Sequence, residues 1–309
     1  MRLVAAGYTP IASATLPSFA GSPTAEVAVL LTSPGLPARV VVLDPASGIR
    51  VRAFALSGTS TYVELIALPS SGGSAAPRLA VLTQKPDGAV RVLVRDAASG
   101  ARLGGVGFGR ALAPAALAAF TGAGGEALLA LLGNTDAGAL AIQVRRLADG
   151  TTVRTLSLAS RVNAGDLAAV SGPAATPLLV AAGTVPGGGG AQLITANPAT
   201  GEILAAGTIA GLGSADDLDV LAGPGWGQSA SVAVLGRGSS GNGMAAVVDP
   251  TGIRLISTVA LPAGYSAVDL TALTGSPDWA ALGSSPSGEA VVTVRYAATG
   301  AEIVSFTVS

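Results

Sequence analysis

Four carboxylates stand out by their spacing. Glu64, Asp166, Asp217 and Asp269 are separated by 102, 51 and 52 residues, multiples of one period. Acids that recur at one interval occupy equivalent places in a repeated fold. Gathered at one rim of that fold, such carboxylates would hold a cation or an Arg-bearing ligand. The competing reading is structural: an acid at a strand start that accepts hydrogen bonds from backbone amides. Two repeats carry Thr15 and Ala116 at this place, so the set has gaps. The second candidate is Trp226, in the Gly/Pro loop "GPGWGQ", where an exposed ring would contact a sugar or a partner. The other tryptophan, Trp279, sits in the apolar run "WAALG" and reads as core.

The absent residue types narrow the chemistry further. The chain has no Cys and no His. Cys nucleophiles, disulfides, imidazole bases and the usual zinc ligand sets are therefore excluded. Its single Lys, Lys85, lies in the turn "KPDG", which leaves no Ser–Lys dyad. A carboxylate-based hydrolase or lyase is what remains of catalysis, and it depends on a geometry that sequence does not give. No catalytic, cofactor or metal residue is assigned, and a non-enzymatic role is expected. A net charge of −1 offers nothing to nucleic acid. Mean hydropathy is +0.60, yet the longest uncharged stretch, residues 167–201, is cut repeatedly by Pro and Gly. No run of about 18 apolar residues exists, so membrane insertion is not expected. The opening "MRLVAAGYTPIASA" is too short and too interrupted for a convincing signal peptide.

The elements that position these residues follow from the period. Phrases akin to "VVVLDPASGIR" (40–50) return at "VLVRDAASGAR", "QVRRLADGTTV", "LITANPATGEI", "AAVVDPTGIRL" and "TVRYAATGAEI". The turn glycines, Gly48, Gly100, Gly150, Gly201, Gly252 and Gly300, are 48 to 52 residues apart. A second column, Ala28, Ala80, Ala130, Val180, Ala233 and Ala280, runs in step. Each unit of about 51 residues holds four short β-like runs. The second is apolar almost throughout, as for a strand covered on both faces; the fourth alternates, as for an edge. Six such units predict an all-β fold: a six-bladed β-propeller with four antiparallel strands per blade. One domain over 1–309 is expected, with blades near 10–58, 59–110, 111–160, 161–211, 212–263 and 264–309. Residues 1–9 read as an extra strand or the remnant of a preceding repeat.

The phrases "RLAVLTQKPDGAVRVLVRDAASGARL" and "SVAVLGRG" resemble bacterial FG-GAP/VCBS repeats, relatives of the integrin-α propeller. That resemblance implies an exported or cell-surface, adhesive or structural propeller without catalysis. It also implies a calcium loop before each second strand. Here the matching positions are Ser70, Gly72 and Ser74 in one repeat and Ser18, Ala20 and Ser22 in another. "TGAGGE" offers only Glu126, and "GPGWGQ" offers no carboxylate. Calcium is read as lost, because a hard dication needs several oxygen ligands.

Charge placement bears on partners. Residues 1–161 carry fourteen Lys/Arg and eight acids, a net of +6; residues 162–309 carry three Arg and ten acids, a net of −7. Opposed halves suit self-association or a protein partner of complementary charge. A glycan is the alternative ligand, weakened by an aromatic content of 4%.

Overall fold

The computed structural model describes the chain apart from residues 1–7, 18, 20–24, 45–48, 57, 59, 70–76, 173–175, 222–229, 239, 273–277, 286–289, 297–298 and 309. The described residues form β-structure and no helix, in six four-stranded antiparallel sheets. The first sheet is β1 (Thr9–Leu16), β2 (Glu26–Ser33), β3 (Leu36–Leu43) and β4 (Arg50–Ala55). The second is β5 (Thr61–Leu68), β6 (Arg78–Gln84), β7 (Val90–Asp96) and β8 (Arg102–Gly109). The third is β9 (Ala113–Thr121), β10 (Ala127–Asn134), β11 (Ala139–Arg146) and β12 (Thr152–Ser160). The fourth is β13 (Asn163–Ser171), β14 (Pro177–Val185), β15 (Gly190–Ala196) and β16 (Ile203–Thr208). The fifth is β17 (Asp217–Leu221), β18 (Ser231–Arg237), β19 (Gly243–Asp249) and β20 (Arg254–Ala260). The sixth is β21 (Ser266–Ala272), β22 (Asp278–Ser284), β23 (Ala290–Tyr296) and β24 (Glu302–Val308). In every sheet the strands lie in chain order. This is a six-bladed β-propeller. By internal contacts the chain parses into two compact units: Met1–Leu131 with Gln143–Val153, and Leu132–Ile142 with Arg154–Ser309. Residues 1–7, most of the expected extra strand, lie outside the described residues, and Thr9 opens β1.

The apolar second strands are explained by two cores meeting on one strand. Along β18, Val232 and Val234 join Val180, Ala182 and Leu193 of the fourth sheet. Their neighbours Ala233 and Leu235 join Trp279 and Ala281 of the sixth. Successive strand residues point to opposite faces. A strand with a core on each face must therefore be apolar at every position. Each fully buried Val or Leu there contributes about 1.5–3 kcal/mol. Trp279 is fully buried, as expected of a core residue. In the first unit the same arrangement packs Leu30 and Val40 against Leu79 and Val81.

The recurrent turn closes the third strand on the fourth. The Asp96 N–H donates to the Ala101 carbonyl (3.0 Å) and the Gly100 N–H to the Asp96 carbonyl (2.8 Å). Arg146/Gly150, Asn197/Gly201 and Tyr296/Gly300 repeat this pattern. The last turn residue must adopt a left-handed φ, between +68° and +83° at these four glycines, a region that costs an L side chain about 1–2 kcal/mol. The fifth sheet departs from the sequence expectation. Gly252 comes one residue early, and the left-handed position falls to Ile253 (φ 50°). Gly48 lies outside the described residues.

These turns also pack on the sheet before them. A Cβ on Gly100 would lie 2.7 Å from the Phe54 ring, and one on Gly300 would lie 2.6 Å from Val259. A bulky fourth-strand residue thus faces a bare turn. Between the fourth and fifth sheets the sizes are exchanged. Gly207 stands on β16, Ile253 stands on the turn, and a Cβ on Gly207 would lie 3.2 Å from Ile253 Cγ2.

Candidate functional site

The four spaced acids stand on the first strands of the second, fourth, fifth and sixth sheets, and all but Asp217, which pairs in register with Leu235, lie at or beside an irregularity in strand pairing. Register shifts occur between Tyr62 and Glu64, between Ala164 and Leu167, and between Ala267 and Asp269. Such a bulge re-aims one side chain out of the ladder, and here the acid turns towards the next sheet. Glu64 Oε2 accepts the backbone N–H of Leu117 on β9. Asp166 Oδ2 accepts that of Leu218 on β17 (2.8 Å), and Asp217 Oδ2 that of Leu270 on β21 (2.7 Å). Each of the three Asp residues also accepts the amide of its own following leucine, at 2.7, 2.9 and 3.0 Å in chain order.

The leucine is the half of this motif that period reading missed. Leu16, Leu65, Leu117, Leu167, Leu218 and Leu270 follow the acid position in all six repeats, and all are buried. The side chain enters the core, and at Leu117, Leu218 and Leu270 the amide meets the preceding sheet's acid. The signal was present as four acid–Leu dipeptides in register.

The structure brings together three of the four acids. Asp217 stands between Asp166 and Asp269, close enough to each for the carboxyl groups to act on one another. Burial is the main cause that pushes Asp166 up to about 6, and Asp217 and Asp269 up to about 7. Repulsion from Asp166 adds to the shift of Asp217, and repulsion from Asp217 adds to that of Asp269. Asp219, two residues along β17, adds its charge against Asp166 and accepts the Val220 amide (2.7 Å). The file is a buried acidic seam, in which burial and mutual repulsion disfavour the charged forms, with lone pairs directed at backbone N–H groups. Glu64 belongs to the other unit and makes its bond there.

Trp226 lies outside the described residues, as do Ser18, Ala20, Ser22, Ser70, Gly72 and Ser74 of the calcium-type loops. The loop around Glu126 is described. It is a tight turn, with the Gly122 N–H donating to the Glu126 carbonyl (2.8 Å) and the Gly125 N–H to that of Gly122 (2.9 Å). No group of three or more Asp and Glu residues suited to a metal ion occurs among the described residues. No described helix is long and apolar enough to cross a membrane.

Three further Arg residues serve the turns. Arg95, Arg145 and Arg295 donate to the carbonyls of Gly100, Gly150 and Gly300, at 3.2, 3.0 and 3.3 Å. Arg145 also stacks over Phe108 at 5.4 Å. Sequence reading counted these arginines only as charge.

Comparison with known proteins bears on this architecture alone. No family model matches the chain, and no curated protein matches it in sequence. Solved structures do match. A chain in the crystal structure of a mitotic checkpoint complex is 16% identical with a TM-score of 0.61, covering 91% of this chain and 74% of that one. BBS1N in complex with ARL6DN, soaked with lead, is 14% identical with a TM-score of 0.59, covering 88% and 75%. Raptor from Chaetomium thermophilum is 14% identical with a TM-score of 0.63; 97% of this chain matches 24% of that one. The chain thus shares the β-propeller fold with these structures. Identities this low show the fold and nothing finer.

Proposed function

We propose that this chain is a non-enzymatic interaction propeller. It serves as an exported or cell-surface component of a larger assembly, in the manner that its FG-GAP/VCBS-like repeats imply. One observation carries the reading. The acids best placed for chemistry direct their oxygens at the backbone of the adjoining sheet. A glycosidase-type mechanism needs two carboxylates that face a substrate; these face N–H groups and each other. Two of the structures that it resembles are of protein complexes, which supports the same reading.

The test pairs a partner assay with an activity assay. Cross-linking in the native host, followed by peptide mapping, should recover a reproducible protein neighbour attached through exposed residues of this chain. A glycoside or ester turnover that disappears in a folded Asp217→Asn variant would overturn the proposal.

A further inference from the structure

The exposed apolar side chains are concentrated at one place in the repeat. Ile49, Leu103, Val153, Ile203, Leu204, Leu255, Ile303 and Val304 all lie where the chain leaves the turn and enters a fourth strand. Among the described residues those strands bond to the third strand alone, so each is the edge of its sheet. Natural edges are guarded by Lys or Pro. β4, β8, β16 and β24 contain neither.

The charges beside these aliphatics differ between the two units. In the first, the edges begin Ile49-Arg50-Val51-Arg52 and Arg102-Leu103, with no acid in β4 or β8. Ile49 is 65% exposed and Leu103 53%. In the second, the fourth and sixth sheets begin theirs Glu202-Ile203-Leu204 and Glu302-Ile303-Val304. Leu204 is 44% exposed and Ile303 42%. The two sets match aliphatic to aliphatic and, at Glu202, acid to Arg, the cross-strand pairs that favour adjacent antiparallel strands; Glu302 is held by Arg295 of its own chain.

We infer that a second copy of this chain docks edge to edge, with β4 or β8 of one copy pairing with β16 or β24 of the next. This rests on the interaction reading above and names the partner. The occupant follows from charge. Every copy carries a basic and an acidic set of edges, so two copies are complementary with no third component. The contact is head-to-tail and leaves an unused edge of each kind, so association continues beyond a dimer. Sedimented mass should rise with protein concentration at 0.1 M salt. It should fall at 1 M, where the Debye length shortens from about 10 to about 3 Å.

Two variants make the test decisive. R50Q/R102Q removes the charge of the basic edges and leaves Arg52 bonded to the Ala98 carbonyl. L204K/I303K puts a guarding Lys on the acidic edges and spares the Arg295–Glu302 ion pair (2.7 Å). All four residues are exposed, and circular dichroism confirms that each variant keeps its β-structure. Each variant alone should sediment as a monomer, with self-affinity lowered at least about tenfold. An equimolar mixture should associate again, with the two variants in equal amounts in the complex, since one variant keeps its acidic edges and the other its basic ones. A wild type that stays monomeric at about 100 μM and low salt overturns the inference. So do variants that still associate alone, or a mixture that stays monomeric. Any of these leaves the interaction reading standing if a different protein is cross-linked in the host. Enzymatic turnover lost in Asp217→Asn defeats that reading instead.

Discussion

The exchanged pair between the fourth and fifth sheets allows a quantitative test of how the seams are packed. Elsewhere a large fourth-strand residue meets a turn glycine; here Gly207 meets Ile253. Ile253→Gly alone relieves a left-handed strain of about 1–2 kcal/mol. It also loses a half-buried side chain, worth about 1–1.5 kcal/mol if half of full burial is counted, and adds about 0.5–1 kcal/mol of unfolded-chain entropy. The net expected loss is small, roughly 0–1 kcal/mol. Gly207→Val alone places a Cβ 3.2 Å from Ile253 Cγ2, and overpacking of this kind costs about 1–3 kcal/mol. The double variant rebuilds the arrangement seen between Val259 and Gly300, so the overpacking disappears. Urea unfolding, followed by fluorescence of the buried Trp279, gives the four stabilities of the cycle. The double variant should be more stable than Gly207→Val, with a coupling energy of at least about 1.5 kcal/mol. Additivity within about 0.5 kcal/mol would refute the size-exchange argument.

Three other outcomes are expected. Asp166, Asp217 and Asp269 bind protons more tightly folded than unfolded, so their contribution is complete below about pH 4. It is lost as pH rises through about 6 to 7. The urea midpoint should therefore be higher at pH 5 than at pH 8, and Asp217→Asn should flatten that difference; an equal slope in the variant would contradict the seam. Glu64→Ala removes the acceptor of the Leu117 amide, which should cost about 1–3 kcal/mol and speed hydrogen exchange at Leu117 more than at Leu131; unchanged exchange at Leu117 would show the bond to be dispensable. Calcium added after EDTA treatment should leave the Tm unchanged within about 1 °C, because the calcium-type loops lack the carboxylates that a dication needs; a clear rise would reinstate those loops as ligands.

The fold was legible because its information is periodic. Residues 79–82 and 232–235 are apolar at each position, and two cores on one strand demand that. The strand count followed from the turns. The fifth turn was misread because Gly252 fits a period known only to within a few residues, whereas the backbone conformation is set to the residue. Only the backbone dihedral, φ 50° at Ile253, shows which residue takes the left-handed place. The acid column was visible as spacing, but its function was not. Its partners are amides about 52 residues away, and an amide carries no sequence signature. Leucine, the residue that marks those amides, is common enough in this chain to pass as ordinary core. The edge complementarity stayed hidden until exposure separated Ile203 and Leu204 from the buried aliphatics.

The acid–leucine bonds have a direction. Glu64 reaches Leu117, Asp166 reaches Leu218 and Asp217 reaches Leu270, always from an earlier sheet to the next one in the chain. During synthesis the acceptor is therefore already placed when its donor leaves the ribosome. The second, fourth and fifth sheets each offer the newcomer a socket as well as an apolar wall. Loss of material is correspondingly asymmetric. A chain cut after the fifth sheet retains Asp217 without the Leu270 amide, an acceptor stranded at an opened wall. A chain cut before the fifth sheet's first strand strands Asp166 in the same way. Shortening from the other end leaves every remaining acid its donor.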